Sequence, residues 1–159
     1  MKNLFFLNIS FILFNTMCVA QSDSSQELHY HKNEIGMANS PVFIVGEKEW
    51  VYGLHFHYIK NINKSKFGIG LGYEQLFDEH MHSTIGIVGS YHVNNNLHFN
   101  LSPGLTSENF DFQDFRFAFH LEGTYEFEIG QFLIGPVLEY AYDVEDTHLS
   151  AGVHLGYTF

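Results

Sequence analysis

From Thr147 to Phe159 the chain reads T-H-L-S-A-G-V-H-L-G-Y-T-F. In steps of two, Phe159, Tyr157, Leu155, Val153, Ala151 and Leu149 share one face, while Thr158, Gly156, His154, Gly152, Ser150 and His148 share the other. Successive side chains of a strand point to opposite faces, so this is a two-sided strand and not a helix stripe. A soluble sheet puts Lys, Glu or Thr on its wet side. Here the polar side carries glycine and histidine, and the apolar side ends in aromatics. That is an inside-out arrangement, with one face suited to hydrocarbon and the other to a narrow polar interior.

The alternation recurs upstream. A first strand is expected from Asn33 to Phe43, with Ile35 and Met37 opposed to Glu34, Gly36 and Ala38, and with Pro41 weakening its end. Further strands are expected over Glu49–Ile59, Phe67–Phe77, Met81–Val93, Leu97–Leu105 and Phe115–Glu128, then from Phe132 to Tyr142, and last from Thr147 to the end. Gly46-Glu47-Lys48 and Asn94-Asn95-Asn96 read as turns, the second because Asn tolerates positive φ. Gly68, Gly70 and Gly72 share a face and mark a crowded interior. Pro103 and Pro136 each remove a ladder donor, so a bulge or a strand end is expected at both.

Eight strands with hairpin-sized connections make antiparallel neighbours throughout. The expected fold is all-β, an eight-stranded antiparallel up-and-down transmembrane β-barrel over residues 33–159. From the second strand to the eighth, the apolar face lacks Lys, Arg, Asp, Glu and His. A lipid-facing Arg or Lys at mid-depth costs about 2–4 kcal/mol, which gives that avoidance a cause. The competing architecture is a soluble cup with the aromatics inside. An eight-stranded interior is just filled by ordinary side chains, so it accommodates the Gly, Ser, Ala and His face better than the Phe, Tyr and Leu face.

The even strand count, the leader described next and the terminal Phe159 preceded by Tyr157 and Leu155 resemble the small eight-stranded outer-membrane proteins of Gram-negative bacteria. The resemblance covers residues 33–159. It implies an outer-membrane location, partners among membrane lipid, lipopolysaccharide and the barrel-assembly machinery, and both chain ends in the periplasm. It does not imply a function, because members of this class serve as anchors, adhesins, enzymes and narrow pores.

Residues 1–20 carry one lysine, an apolar core and Cys18-Val19-Ala20, and read as a secretory signal cleaved after Ala20. Residues 21–32 are polar and read as a flexible periplasmic leader. Cleavage removes Cys18, the sole cysteine, so neither disulfides nor thiolate metal sites remain. It also removes Lys2, taking the formal charge from −11 to −12. With so few cations, nucleic acid is excluded as a partner. No run of 18 apolar residues follows the signal, which excludes a membrane helix but not membrane strands.

If both ends are periplasmic, the loops after odd strands face outward and hold many carboxylates against Lys48 alone. Two of them add histidine: Asp78, Glu79, His80 and His82 in one, and Asp143, Glu145, Asp146 and His148 in the other. Imidazole plus carboxylate suits zinc, nickel or copper(II), and carboxylate alone suits calcium or magnesium. No cofactor is called for beyond such a divalent cation, and an acidic rim bridged by cations to lipopolysaccharide phosphates needs no dedicated site.

Alternation also assigns His55, His57, Glu74, His92, His98, Arg116, His120, Glu122, Glu126, Glu139 and His154 to the interior. One reading is a polar plug in which His and Arg neutralise Glu, so that no buried charge stands alone. The other is a chain of titratable groups passing protons or small cations, for which histidine's ordinary pKa of about 6.5 is suited. Such a lumen leaves no open aqueous channel for fast solute diffusion. An enzymatic alternative comes from His148-Leu149-Ser150, which resembles the His-x-Ser of lipid A deacylases, with Glu139 as the orienting acid. Ala151-Gly152 follows where that family has Asn-Ala, and alternation turns His148 and Ser150 away from lipid. The expected protein is therefore a non-enzymatic, porin-like barrel with a His/Glu-lined lumen and an acidic rim, suited to divalent-cation binding or restricted ion passage.

Overall fold

A computed structural model describes residues 31–63, 65–109, 111 and 114–159. The expected signal segment and most of the leader lie outside the described residues. The strands are β1 (Asn33–Ile44), β2 (Glu49–Asn61), β3 (Phe67–Phe77), β4 (Ser83–His92), β5 (Leu97–Ser107), β6 (Arg116–Tyr125), β7 (Phe127–Ile129), β8 (Phe132–Asp143) and β9 (Thr147–Thr158). Neighbours pair antiparallel in sequence order, β1 pairs with β9, and β6 pairs with β8. The sheet therefore closes, and β6 and β7 are two parts of one barrel strand, giving an eight-stranded up-and-down barrel. Closure leaves no unpaired sheet edge, the condition a strand structure must meet in hydrocarbon.

The faces sort as alternation requires. Leu71, Ile85 and Leu138 are 60%, 56% and 65% exposed, whereas the alternate positions inward are buried. Outward aliphatic residues such as Leu71, Ile87, Leu121 and Val153 lie mid-strand. Outward aromatics crowd the strand ends: Trp50, Phe77, Phe117 and Tyr142 at one mouth, Tyr58, Phe67, Tyr91, Phe132 and Tyr157 at the other. An aliphatic belt between two aromatic girdles is the surface of a barrel made for a bilayer.

Several expected details are refined or corrected. β1 runs through Pro41, which pairs with Tyr52, and continues one residue past the expected end to Ile44. Its pairing with β9 lapses between Asn39↔Val153 and Val42↔Ser150, where proline has no N–H to give. Neither Pro103 nor Pro136 makes a bulge. Pairs around Pro103 run from Gly86↔Gly104 to Gly89↔Leu101 in unchanged register. Pairs around Pro136 run from Thr124↔Val137 to Phe127↔Ile134, again unchanged, with the partner strand interrupted at Glu126. The strand expected over Phe115–Glu128 is thus split, while β4 is shorter than expected and β5 extends to Ser107. Asn94 to Asn96 do not use positive φ, which among non-glycine described residues occurs at Lys48, Met81 and Asn109. The turn is instead fastened by Asn94 Oδ1, which accepts from the N–H of Asn96 and Leu97 at 2.9 Å each.

Candidate functional site

The interior is a column of imidazoles and carboxylates running from one mouth to the other. At the mouth formed by the β1–β2, β3–β4, β5–β6 and β8–β9 loops, a polar vestibule of about 510 Å³ is lined by Glu47, Glu108, Asp114, Asp143, Glu145 and Asp146 against Arg116. Arg116 bridges Glu108 and Glu145, and His82 pairs with Asp78 and lies 3.3 Å from Glu108. Arg116, chiefly by hydrogen bonding, holds the Glu108 carboxyl below its ordinary range.

His148 lines the vestibule floor and belongs to the first buried group. Its Nε2 lies 3.6 Å from Glu74 Oε2, which is also 3.6 Å from His120 Nδ1. His120 Nδ1 in turn approaches Glu139 Oε1 at 2.5 Å. Deeper, His55 Nδ1 stands 3.4 Å from Glu122 Oε2 and 4.0 Å from Glu139 Oε2. Asn100 donates to Glu122 Oε1 at 2.8 Å. Toward the opposite mouth, His57 Nε2 is 3.2 Å from Glu34 and stacks on His154, ring centroids 5.1 Å apart. His154 Nδ1 reaches Glu126 Oε1 at 2.5 Å, and His98 Nδ1 reaches Glu126 Oε2 at 3.3 Å. The His98 ring meets His92 edge-on, and His92 Nε2 lies 2.9 Å from Asn61 Oδ1.

Local sequence explains how this column is accommodated. Gly36 faces the His57 and His154 rings so closely that a Cβ there would overlap both. At the β6–β7 interruption the Glu126 N–H donates to Asn96 O, and Asn96 Nδ2 donates to Glu126 O, each at 2.7 Å. The β4–β5 turn thus satisfies both backbone groups of Glu126, whose carboxylate is buried in the interior.

Five buried carboxylates, Glu34, Glu74, Glu122, Glu126 and Glu139, share this interior with buried His55, His57, His98, His120, His148 and His154. No lysine or arginine is buried among the described residues, since Arg116 stands half-buried at the rim. Buried charges need a counter-charge or a metal, so here the counter-charge can come only from imidazolium, from protons on carboxylates, or from bound cations. Several of these atoms lack any hydrogen-bond partner, among them Glu74 Oε2, Glu122 Oε2, Glu126 Oε2, His148 Nε2 and both ring nitrogens of His154.

The residues assigned to the lumen from sequence all point inward, with His92 and Arg116 half-buried at opposite ends. Glu34 and Asn100 join them. Glu34's place on the Gly36/Ala38 face was the signal available for it, whereas Asn100's bond to Glu122 required knowing the β5–β6 register. Of the eight loop residues considered for a metal, His80, His82, Asp143, Glu145, Asp146 and His148 line the vestibule, but Glu79 and His80 are exposed, Asp78 is taken by His82, and Asp143 accepts from the N–H of Glu145 and Asp146. Asp146 accepts from the Gly46 N–H. Of the eight, His148 alone enters a group of potential ligands among the described residues. The His148, Ser150 and Glu139 set is not assembled as a triad. Glu139 faces Ser150 across the β8–β9 ladder but its carboxylate orients His120, and Ser150 Oγ has no hydrogen-bond partner.

No protein-family model matches the chain, and no curated protein matches it in sequence. Solved structures do match in fold. Neisserial surface protein A aligns with a TM-score of 0.58 at 10% identity, covering 80% of this chain and 96% of that one. The Yersinia pestis outer-membrane protein Ail, in a phospholipid bilayer nanodisc, aligns at 0.53 with 13% identity over 80% and 99%. A de novo designed transmembrane β-barrel aligns at 0.57 with 9% identity over 83% and 99%. The chain therefore has the closed eight-stranded fold of the small outer-membrane barrels.

Proposed function

We propose that the protein is a non-enzymatic outer-membrane barrel whose sealed interior binds cations and passes, at most, protons or small ions. One observation carries the reading: an apolar, aromatic-girdled outside encloses a continuous His/Glu column that lacks a buried permanent cation among the described residues. Removing five carboxylates from water without positive partners would be prohibitive. The buried imidazoles offset that charge only while protonated, and cations drawn in through the acidic vestibule take their place when they are not. The aliphatic belt supports hydrocarbon outside the barrel, as do the outer-membrane proteins that share the fold. An interior this filled opposes free diffusion of nutrients.

The test is reconstitution of the mature chain in planar bilayers. Insertion with cation-selective conductance far below that of an open porin is the expected result. A large, weakly selective conductance would refute the sealed interior, and a chain that stays soluble without detergent and never inserts would refute the membrane barrel.

A further inference from the structure

We propose that Glu74, His120, Glu139 and His148 form a buried site for one four-coordinate transition-metal ion of the zinc class, loaded from the acidic vestibule. The proposal rests on the cation-binding interior argued above and adds to it the ion's chemistry and its location.

The four side chains come from β3, β6, β8 and β9 and converge although Glu74 and His148 are 74 positions apart in sequence. One ligand atom from each lies within 4.8 Å of all the others. With metal–ligand bonds of about 2.0 Å, the edge of a tetrahedral donor set is about 3.3 Å. The two Glu74 Oε2 contacts, 3.6 Å to His120 Nδ1 and 3.6 Å to His148 Nε2, are already close to that edge. The 2.5 Å approach of His120 to Glu139 is shorter, and would open by under 1 Å as an ion took the proton's place between them.

A second observation is independent of the clustering. Glu74 Oε2 and His148 Nε2 are buried and without hydrogen-bond partners, although Glu74 is 4% and His148 7% exposed. Native structures rarely leave such atoms unsatisfied, and an ion is one of the few agents that satisfies both.

The donor set selects the metal. Two imidazoles and two carboxylates without thiolate suit zinc, cobalt(II), nickel or copper(II), whereas calcium takes six to eight oxygens and magnesium demands an octahedron of them. Four protein ligands close a tetrahedron and leave no open position, so the site holds an ion and does not activate water. The two carboxylates are offset by one divalent charge. An entry path is present, because His148 lines the vestibule floor as well as the site. The Glu34, His57 and His154 trio nearer the opposite mouth supplies three donors only.

The experiment titrates cobalt(II) into the mature barrel, refolded in detergent after chelator treatment, and follows its visible ligand-field spectrum. Folding is checked by heat-modifiable migration in gels. One cobalt per chain is expected, with intense four-coordinate bands, displaced by zinc but not by excess magnesium or calcium. Glu74→Gln and His148→Asn should each weaken binding by about 100-fold, the upper end of what loss of a supporting partner costs and a lower bound for a ligand, while His31→Asn, outside the column and paired with Glu128, leaves it unchanged. Should one variant fail to fold, the other together with the zinc displacement still decides. A folded barrel that takes up no cobalt, that gives only weak six-coordinate bands, or that binds equally in both variants overturns the site. Each of those results comes from a folded, inserting barrel and so leaves the membrane reading standing, whereas failure to insert refutes that reading instead.

Discussion

Phe117 and His120 lie three positions apart on β6 and point to opposite sides of the barrel wall, Phe117 52% exposed and His120 4%. In a soluble cup their directions would be exchanged. Which solvent wets the phenyl side therefore governs the energetics of every outward position. Leu138→Arg, mid-strand on β8 and 65% exposed, should lower stability in lipid vesicles by about 2–4 kcal/mol. Urea unfolding in vesicles of defined thickness reads this directly. An arginine tolerated there without loss would mean that water, not hydrocarbon, meets this face.

Glu126 lies within ion-pair distance of two imidazoles, His154 at 2.5 Å and His98 at 3.3 Å, and is 2% exposed. Breaking a buried ion pair by removing one partner typically costs about 3–5 kcal/mol, because the surviving charge is left uncompensated. Glu126→Ala should therefore destabilise the barrel by that order in denaturant titration. Glu126→Ala combined with His154→Leu should recover part of the loss, since the stranded imidazole is gone. A double variant as unstable as the sum of the singles would show that the pair is not coupled.

The architecture was readable in the chain because a strand's side-chain period of two is local: alternation at Leu149–Phe159 or Trp50–Tyr58 needs no knowledge of the partner strand. The inward set from His55 to His154 was readable for the same reason. What alternation cannot give is register, and the groups within the column depend on it. Glu74 meets His120, Glu139 and His148 only because β3, β6, β8 and β9 bring them to one level across the lumen. The loop carboxylates show the reverse. Asp78, Asp143 and Asp146 looked like free ligands by composition, but turns and short-range pairs consume them. The fastening of Glu126 was similarly hidden, since it depends on Asn96 from a turn 30 positions away.

Acidification should loosen the vestibule before the barrel. Arg116 holds the Glu108 carboxyl below its ordinary value of 4.5. A lowered folded-state pKa means that the ionised form contributes stability at pH above the ordinary value, and that the contribution disappears as pH falls through the lowered one. Amide exchange in the β5–β6 connection should accordingly accelerate below about pH 4.5, near the ordinary carboxylate range, while the strand amides stay protected. Glu108→Gln should abolish the step, with exchange at neutral pH already as fast as the unaltered chain shows in acid. A loop whose exchange shows no acid-dependent step in the unaltered chain would contradict the role given to this pair. The contribution is salt-sensitive, as the site is open to water, so the step should shrink in high salt.

Two glycines on the barrel wall should respond oppositely to the same added methyl. At Gly36 an added Cβ would collide with the rings of His57 and His154, which are stacked on each other and tied to Glu34 and Glu126, so neither ring can swing away cheaply. At Gly89, on the outward face of β4, the nearest neighbour to an added Cβ is the Leu101 carbonyl oxygen at 3.7 Å, an ordinary contact. Overpacking a filled interior typically costs about 1–3 kcal/mol, so Gly36→Ala should destabilise by that order in denaturant unfolding. Gly89→Ala should be neutral or slightly stabilising, because alanine loses less backbone freedom on folding than glycine does. Equal losses at both positions would mean that the wall, and not the histidine column, sets the requirement for glycine. A loss at Gly36 that vanishes in a His57→Ala background would locate the collision in the stacked rings.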